Sequence, residues 1–211
     1  MRRQLLLIAK APVPGRVKTR LCPPCTPEQA ARVAAAALAD TIAVLTATPA
    51  GRRTIVLSGR YRRPPGWHLV PQEGDGLAHR LSNAFVDTAL PGTASVLVGM
   101  DTPQLTPARL DALTNGLHEL GAVLGPAEDG GWWGLALRDP SHATALRDVP
   151  MSTPDTAQWT VKALRERGVR VGYGPVLRDV DTAADAWTVS AGCAGTFPAA
   201  VAENVPRPVS R

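Results

Sequence analysis

The chain is poor in lysine, aromatic residues and cysteine. Only three of its 23 basic residues are lysines (Lys10, Lys18 and Lys162), and aromatic residues make up 4% of the sequence. The net charge of +5 is spread over single and paired arginines, without the basic tract and interleaved aromatics that a nucleic-acid surface usually has. The sequence therefore predicts no nucleic-acid partner. Small polyanionic substrates would account for the charge, and simple solubility accounts for it best.

Long hydrophobic runs are also missing. No uncharged apolar stretch approaches the ~18–20 residues that a membrane helix needs. Arg2 and Arg3 before the apolar run Leu5–Ala9 resemble the start of a signal peptide, but no small-residue cleavage site follows. We therefore expect a cytoplasmic protein without a membrane span, and the sequence leaves homo-oligomerisation open. A chain of 211 residues with 45% hydrophobic content fits one α/β domain with a sizeable core.

Motifs of the common hydrolytic, zinc and redox centres are absent or incomplete. Two of the three cysteines form a Cys-Pro-Pro-Cys motif at Cys22–Cys25, but no second pair and no nearby histidine completes a tetrahedral zinc site. We interpret it as an incidental pair. The sequence has no Gly-x-Ser-x-Gly and no His-Glu-x-x-His, and its four histidines are scattered.

What the sequence does have is a basic loop directly after its first apolar run. Leu5–Ala9 predicts a buried strand, and Lys10–Leu21 (KAPVPGRVKTRL) follows it. The loop contains one glycine, Gly15, and four cations, which are Lys10, Arg16, Lys18 and Arg20. A glycine-bearing basic loop between a strand and a helix is typical of phosphate binding in α/β proteins. A solvated basic turn is the alternative.

A second glycine-rich loop, QEGDGL, lies at Gln72–Leu77 and precedes a helix predicted over 78–89. Gly74 and Gly76 would allow the backbone to approach a base or a phosphate closely. Arg80, one turn into the helix, would point back towards the same place.

A carboxylate follows the clearest central strand. Ala94–Gly99 is short, continuous and apolar, and it leads into Asp101. Ligands of open α/β sheets bind beyond the carboxyl ends of the strands, so Asp101 is a candidate for chemistry. Capping of the next helix is the alternative, for which Thr106 is better placed.

Two further carboxylates, Asp179 and Asp181, follow a strand predicted over 169–176. Their i, i+2 spacing on extended chain places both on one side, as a hard cation requires. Capping of the helix that begins at Ala183 would explain one of them and leave the other unexplained.

An acidic loop with two glycines follows the strand predicted at Gly121–Pro126. Its candidate substrate-binding residues are Asp129, Gly130 and Gly131. Trp132 and Trp133 would point to opposite faces of a continuing strand, so that one belongs to the core and only one could line a site. Other predicted elements are a helix over 29–45 with Thr26 as its cap, strands over 53–57 and 68–71, and helices from 107 and from 155 to 167.

Taken together, five segments resemble the GT-A-type nucleotide-diphospho-sugar transferases. In chain order they are KAPVPGRVKTRL at 10–21, QEGDGLAHR at 72–80, VGMDTP at 98–103, PAEDGGWWGL at 126–135 and DVDTAAD at 179–185. The chain is most similar to a bacterial glycosyltransferase-like family related to the 2-phospholactate or phosphoenolpyruvate guanylyltransferases and the molybdenum-cofactor guanylyltransferases. Two departures leave the donor open, because the first loop lacks Gly-x-Gly and the strand-end motif is Asp-Thr-Pro instead of Asp-x-Asp.

The resemblance implies a single three-layer α/β/α domain over residues 1–196, with a mostly parallel, Rossmann-like central sheet. We expect a loosely ordered, Pro-containing tail over 197–211. The implied ligands of Mg²⁺ or Mn²⁺ are Asp101, Asp179 and Asp181. The implied nucleotide-binding residues are Lys10, Gly15, Arg16, Lys18, Thr19, Arg20, Gly76 and Arg80, and Lys18, Arg20 and Asp101 are the implied catalytic residues.

From these residues we expect a metal-dependent nucleotidyl transfer from a nucleoside triphosphate to a small phosphorylated or carboxylated acceptor, with release of pyrophosphate. Several cations in one loop suit a triphosphate. The alternative is a glycosyltransferase that uses a sugar nucleotide, with Asp129 or Glu128 as the base. A catalytically idle nucleotide-binding module is a third hypothesis, and it predicts binding without turnover.

Overall fold

The computed structural model describes residues 2–207. It contains seven β-strands: β1 (Arg3–Lys10), β2 (Arg52–Ser58), β3 (His68–Pro71), β4 (Ala94–Gly99), β5 (Gly121–Pro126), β6 (Trp132–Leu137) and β7 (Arg170–Tyr173). They form one sheet in the order β3-β2-β1-β4-β6-β5-β7. All neighbouring strands are parallel except that β6 runs antiparallel to β4 and to β5. The predicted mostly parallel sheet is confirmed.

The helices are α1 (Pro27–Ala47), α2 (Gly76–Val86), α3 (Pro107–Thr114), α4 (Leu117–Leu120), α5 (Thr156–Glu166), α6 (Ala183–Ser190) and α7 (Phe197–Asn204), with 3-10 segments at Thr19–Leu21 and Pro140–Asp148. Helices cover both faces of the sheet. Leu5 and Leu7 of β1 belong to a core cluster shared with α1 and α3, whereas Leu6 belongs to a cluster shared with α2 and α5. This alternation confirms the three-layer α/β/α architecture.

The strands β1, β4 and β5 are continuous apolar runs because both of their faces are buried. Chain direction determines where their ends meet. In the sheet, β1 lies between β2 and β4. The chain that follows β1 turns towards β2, whereas the chain that follows β4 turns towards the other side of the sheet order, so a crevice remains between the two segments. Because β6 is antiparallel, it begins at the same edge of the sheet where β4 and β5 end.

The helix α1 begins with a capping box in which Thr26 and Gln29 satisfy each other's backbone N–H groups, and Pro27 is at its first position. Within residues 2–207 it is the one helix long and apolar enough, by length and composition, to cross a membrane, with a mean hydropathy of 1.5. Half of that window is buried inside the protein. A core helix meets the same criterion, and Ala34, Leu38 and Leu45 of α1 pack against the sheet.

The expectation of loosely ordered chain from residue 197 is wrong for 197–204. These residues form α7, and Phe197 and Val201 are fully buried against α1. The buried carboxylate of Asp40 on α1 accepts hydrogen bonds from Thr196 N (2.9 Å), Thr196 Oγ1 (2.8 Å) and Phe197 N (2.8 Å). This carboxylate fastens the start of α7 to the middle of α1. Residues 208–211 of the predicted tail lie outside the described residues.

Several predicted boundaries shift in the structure, and the ends of β7 and α2 shift the most, by three residues each. β7 ends at Tyr173 instead of Val176, since Pro175 has no N–H to donate to the neighbouring strand. The helix predicted over 78–89 spans Gly76–Val86. Cys22 and Cys25 are free thiols, and Cys25 is buried beside α7 with its Sγ 3.6 Å from the Asn204 carbonyl oxygen.

Candidate functional site

A pocket of about 630 Å³ opens at the edge of the sheet where β1 and β4 end and β6 begins. Five predicted segments contribute to its wall: the first loop, the second glycine-rich loop, the chain after β4, the turn before β6 and the chain around Asp179 and Asp181. Residues 151–156, a segment that sequence reasoning missed, complete it.

The first loop supplies every lysine and arginine that lines the pocket within the described residues. They are Lys10, Arg16, Lys18 and Arg20, and Thr19 lies among them. Lys10 and Arg16 are exposed, and across residues 2–207 their side chains form neither an ion pair nor a hydrogen bond. These two cations are therefore available to an anionic ligand.

Lys18 crosses the pocket to the end of β4. Its Nζ lies 2.5 Å from Asp101 Oδ1, and the side chain is only 6% exposed. The same Nζ donates a hydrogen bond to the backbone carbonyl oxygen of Val180. Lys18 has a φ of 50°, in the left-handed region, which is uncommon for a residue with a side chain and marks local strain.

Arg20 forms the second ion pair, with Nη1 2.8 Å from Asp181 Oδ2. The arginine side chain is 72% exposed, so the pair contributes at most about 1 kcal/mol to stability. Its effect is to orient the Asp181 carboxylate towards the first loop.

Asp179 is half-buried in the pocket wall and forms no ion pair within the described residues. Withdrawal from water, together with the neighbouring Asp101 and Asp129 carboxylates, raises its pKa to about 7, and Lys18 opposes part of this rise. The segment is held in place because Val180 N donates to the Asp101 carbonyl oxygen at 3.0 Å. A crowded carboxylate of this kind would gain from a nearby cation.

The capping alternatives for these carboxylates are wrong. Thr106 caps α3, accepting a hydrogen bond from Arg109 N, so Asp101 has no capping role. Thr182 caps α6 and forms a capping box with Asp185, so neither Asp179 nor Asp181 caps this helix.

The three predicted metal ligands line one pocket but do not converge. Across residues 2–207, no group of three or more His, Cys, Asp or Glu side chains is arranged to hold a metal ion. The physical reason is that Asp101 is turned to Lys18 and Asp181 to Arg20. Their role as metal ligands stays a prediction.

The donor set nonetheless fits a divalent hard cation. Asp101 and Asp179 offer oxygen ligands, and the repulsion that raises the pKa of Asp179 is what a bound cation would relieve. In addition, Thr102 lines the pocket, and its buried Oγ1 has no hydrogen-bond partner in the described part of the chain. A two-carboxylate site at Asp101 and Asp179 would require Lys18 to leave Asp101.

Four predicted site residues are not part of the pocket wall: Gly15, Gly76, Arg80 and Gly130. Arg80 does point back along α2, but its Nε donates to the Gly74 carbonyl oxygen at 3.1 Å and stops there. Gly130 has a supporting position instead, since a Cβ at this residue would lie 1.7 Å from the Pro154 carbonyl oxygen.

Gln72, from the second glycine-rich loop, does line the pocket. Its Nε2 donates to the carbonyl oxygens of Ala9 (2.8 Å) and Val56 (3.2 Å), so it joins the ends of β1 and β2. The 151–156 segment has no charge or glycine before Asp155 to mark it. Only the Pro154 break before α5 could have drawn attention to it.

Both tryptophans contribute to the pocket wall. Trp133 is in the core, as predicted for one of the pair, and its Nε1 donates to the Pro175 carbonyl oxygen at 2.9 Å. Trp132 is half-buried, with Nε1 3.2 Å from Thr160 Oγ1. The expectation that only one of them could line a site is wrong. Glu128 is paired with Arg178 at 2.6 Å and lies outside the wall, whereas Asp129 lies within it.

Solved structures of other proteins share this fold. The chain is 26% identical to a proposed nucleotide-diphospho-sugar transferase of Desulfovibrio desulfuricans G20, with a TM-score of 0.78 over 88% of this chain and 85% of that one. The Rv0371c protein of Mycobacterium tuberculosis H37Rv, solved in complex with manganese, is 21% identical, with a TM-score of 0.56 over 90% of this chain and 98% of that one.

A CMP:2-keto-3-deoxy-manno-octonic acid synthetase complexed with CTP is 11% identical, with a TM-score of 0.55 over 89% of this chain and 96% of that one. The two more distant similarities show the fold alone. No curated protein matches the chain, and the predicted relation to the guanylyltransferases stays a prediction. The family model described as "Uncharacterized protein conserved in bacteria (DUF2064)" matches residues 29–153, more than half of the sequence. The chain therefore belongs to the DUF2064 family.

Proposed function

We propose that the protein is a divalent-metal-dependent transferase with a nucleotide donor, and that it transfers a nucleotidyl group from a nucleoside triphosphate to an acceptor oxygen. One observation carries the proposal: the first-loop cations face Asp101, Asp179 and Asp181 across one pocket, and two of the cations are already paired with carboxylates. A metal–triphosphate complex brings a cation for the carboxylates and a polyanion for the first loop, so it complements both sets at once.

The comparisons support the donor class and the metal. The 26% identical protein of D. desulfuricans is proposed to act on nucleotide-diphospho-sugars, and the synthetase of the same fold was solved with CTP. The M. tuberculosis protein of this fold was solved with manganese. None of the three names the donor or the metal of this chain.

Asp101 and Asp179 would hold the metal ion, whose chemistry is to neutralise charge on the phosphate oxygens. Lys10 and Arg16, which lack partners in the described residues, bind the outer phosphates. Lys18 and Arg20 exchange their carboxylate partners for phosphate oxygens and offset the charge that develops during transfer.

In the proposed step, an acceptor oxygen forms a bond to the α-phosphorus. The bond from that phosphorus to the oxygen bridging to the β-phosphate breaks, and pyrophosphate leaves with the bonding electrons. The acceptor proton passes to Asp129, which lines the pocket where Glu128 does not.

The second candidate is glycosyl transfer from a sugar nucleotide, which the similarity to the D. desulfuricans protein favours. The acceptor oxygen would then attack the anomeric carbon, and the nucleoside diphosphate would leave with the bonding electrons. Besides Lys18 and Arg20, the two cations that are unpaired within residues 2–207, Lys10 and Arg16, match the larger charge of a triphosphate better than that of a diphosphate, and this favours nucleotidyl transfer.

Thermal unfolding with ATP, GTP, CTP, UTP, UDP-glucose and GDP-mannose, each with and without Mn²⁺ or Mg²⁺, tests the proposal. A ligand at 100 times its dissociation constant stabilises the folded state by about 2.7 kcal/mol, which a melting curve resolves. We expect one triphosphate to raise the melting temperature in a metal-dependent way. A Lys10→Met/Arg16→Met variant should lose this shift. Lys162→Met, whose side chain lies outside the pocket on α5, should retain it. A shift confined to a sugar nucleotide would favour the second candidate, and no shift with any compound would overturn both.

A further inference from the structure

The pocket has two halves of different chemistry. The half formed by the first loop carries all of its lysines and arginines. The opposite half, which we call the acceptor half, consists of Asp129, Gly131, Trp132, Met151, Ser152 and Thr153. Within the described residues it presents no lysine, arginine or histidine to the pocket. If the donor phosphates occupy the first half, the second remains for the acceptor.

The acceptor half is rigid. The turn at Gly130 is pressed against the Pro154 carbonyl, and the Gly130 carbonyl oxygen accepts a hydrogen bond from Ala157 N at 2.9 Å. Thr156, which is 4% exposed, accepts a hydrogen bond at Oγ1 from Thr153 N at 3.1 Å. These contacts hold the turn before β6 and the 151–156 segment in one fixed arrangement.

The indole ring of Trp132 has a fixed orientation. Its Nε1 donates to Thr160 Oγ1, and Thr160 Oγ1 in turn donates to the Thr156 carbonyl oxygen at 2.8 Å. With the polar end of the indole bound inside the protein, the part that reaches the pocket is apolar ring surface. Such a surface packs against the C–H face of a ring or chain, and does not bind a phosphate or a carboxylate.

The polar side chains of the acceptor half carry hydroxyl and carboxylate groups. Ser152 has a φ of 59° and, with Lys18, is one of two non-glycine residues in the described chain with positive φ. Both line this pocket, and strain of this kind concentrates at functional sites. The Ser152 hydroxyl forms no hydrogen bond with residues 2–207, and Asp129 uses Oδ1 for Gly131 N (2.8 Å), which leaves Oδ2 for a ligand. These groups suit a ligand that is rich in hydroxyl groups.

We propose that the acceptor is a neutral polyhydroxy compound, a sugar or a polyol, whose apolar face packs on Trp132 and whose hydroxyl groups bind Asp129 and Ser152. This inference rests on the proposed function, since it assigns the first-loop half to the donor. An anionic acceptor would meet the Asp129 carboxylate without a lysine, arginine or histidine on its side of the pocket within the described residues. The proposed acceptor thus differs from the phosphorylated or carboxylated one predicted from the sequence.

The test compares matched compounds that differ in charge. Saturation-transfer NMR and calorimetry would measure binding of glucose, mannose, galactose, myo-inositol and glycerol to the full chain, and of the phosphorylated counterpart of each. Each measurement is made with and without Mg²⁺ and the nucleotide found by thermal unfolding. We expect at least one neutral compound to bind at least tenfold more tightly than its phosphorylated counterpart.

Three variants localise the binding. Trp132→Ala should weaken binding of the neutral compound at least tenfold while the nucleotide-induced melting shift stays as in the wild type, and Trp132→Phe, which keeps a ring, should restore much of it. Trp159→Ala is the matched control, because Trp159 is exposed on α5 outside the pocket. Asp129→Asn removes the carboxylate charge, so the ratio between the affinities for the neutral compound and for its phosphorylated counterpart should become smaller.

Tighter binding of the phosphorylated compounds, wild-type binding by Trp132→Ala, or no binding by any compound would overturn the proposal. If a neutral compound binds at Trp132 but no nucleotide shifts the melting temperature, the proposed function is contradicted and the proposed sugar site is supported. The two proposals can therefore fail separately.

Discussion

The Nζ atom of Lys18 lies between Asp101 Oδ1, at 2.5 Å, and the Val180 carbonyl oxygen, while Val180 N donates to the Asp101 carbonyl oxygen at 3.0 Å. The ammonium group thus joins the end of β4 to the segment that carries Asp179 and Asp181. A divalent cation bridging Asp101 and Asp179 would need the space that this ammonium occupies. We therefore predict that Lys18 and the proposed metal ion compete for Asp101.

The first prediction follows from this competition. Lys18→Met removes the charge and keeps a side chain of similar length, so Mn²⁺ alone should bind at least tenfold more tightly than it binds the wild type. Turnover with metal and nucleotide should fall by ~10²-fold or more, since a preorganised charge that acts on the phosphates is lost. Titration of Mn²⁺ by electron paramagnetic resonance and a pyrophosphate-release assay measure the two effects.

Lys162→Met is the matched control for this experiment, because Lys162 pairs with Glu166 on the surface of α5. An unchanged affinity for Mn²⁺ in Lys18→Met would show that the ammonium does not compete with the metal. Near-normal turnover would remove Lys18 from the catalytic machinery.

The second prediction concerns Asp179, whose pKa is raised from the ordinary value of 3.8 to about 7 by burial, Asp101 and Asp129. An acid with a raised pKa holds its proton more tightly in the folded than in the unfolded chain. Below about pH 4 it is protonated in both states and has no effect. Between pH 4 and 7 only the folded state holds the proton, so stability falls as the pH rises. Above pH 7 the full destabilisation, on the order of 2–4 kcal/mol, is present.

Asp179→Asn should therefore unfold at a higher temperature than the wild type at pH 8 and at nearly the same temperature at pH 4. Thermal melts at intervals of pH 4 to 8 give the difference curve. Saturating Mn²⁺ should shrink the difference at pH 8, because the metal neutralises the same carboxylates. A difference that does not depend on pH would contradict the raised pKa.

The third prediction tests the rigid turn at Gly130, which has a φ of +87° and no room for a Cβ. Gly130→Ala should destabilise the fold by more than about 2 kcal/mol, since it combines a left-handed backbone with a clash against the Pro154 carbonyl oxygen. The clash can be relieved only by moving residues 151–156, so nucleotide-dependent turnover should fall as well. Urea denaturation measures the stability.

Gly66→Ala provides the matched control, because Gly66 has a φ of +76° and nothing within 4 Å of a Cβ. The free energy of unfolding of Gly66→Ala should fall by only ~1–2 kcal/mol, which is the cost of the left-handed conformation for a residue with a Cβ. If Gly130→Ala and Gly66→Ala lose the same amount of stability, the contact between Gly130 and Pro154 does not restrict the size of residue 130.

Sequence patterns predicted the strands well because a strand that is buried on both faces consists of a continuous run of apolar residues. Ala94–Gly99 and Gly121–Pro126 have the observed bounds for this reason. The first loop was recognisable because a glycine and four cations follow such a run directly. Its position in the wall of a pocket follows from the rule that parallel strands gather their carboxyl ends at one edge.

Three features could not be predicted from local patterns. The pairing of Lys18 with Asp101 depends on the loop conformation at a left-handed residue, and nothing in the neighbouring sequence specifies it. The antiparallel direction of β6 leaves no trace in its composition. The 151–156 segment is short and polar, and only tertiary contacts with Gly130 make it part of the site.

The last prediction concerns α7, which sequence reasoning placed in a loose tail although Phe197 and Val201 have the i, i+4 spacing of one helix face. A chain that ends at residue 196 would lose the burial of Phe197, Val201 and Val205 against α1 and would leave the Asp40 carboxylate without the hydrogen bond from Phe197 N. Each buried apolar side chain contributes about 1.5–3 kcal/mol, so the truncated chain should be destabilised by more than about 4 kcal/mol. Truncation after residue 207 is the control and should leave the urea midpoint unchanged, because all of α7 is retained. If the chain ending at 196 unfolds at the same urea concentration as the full chain, α7 does not stabilise the domain and the predicted limit at residue 196 holds.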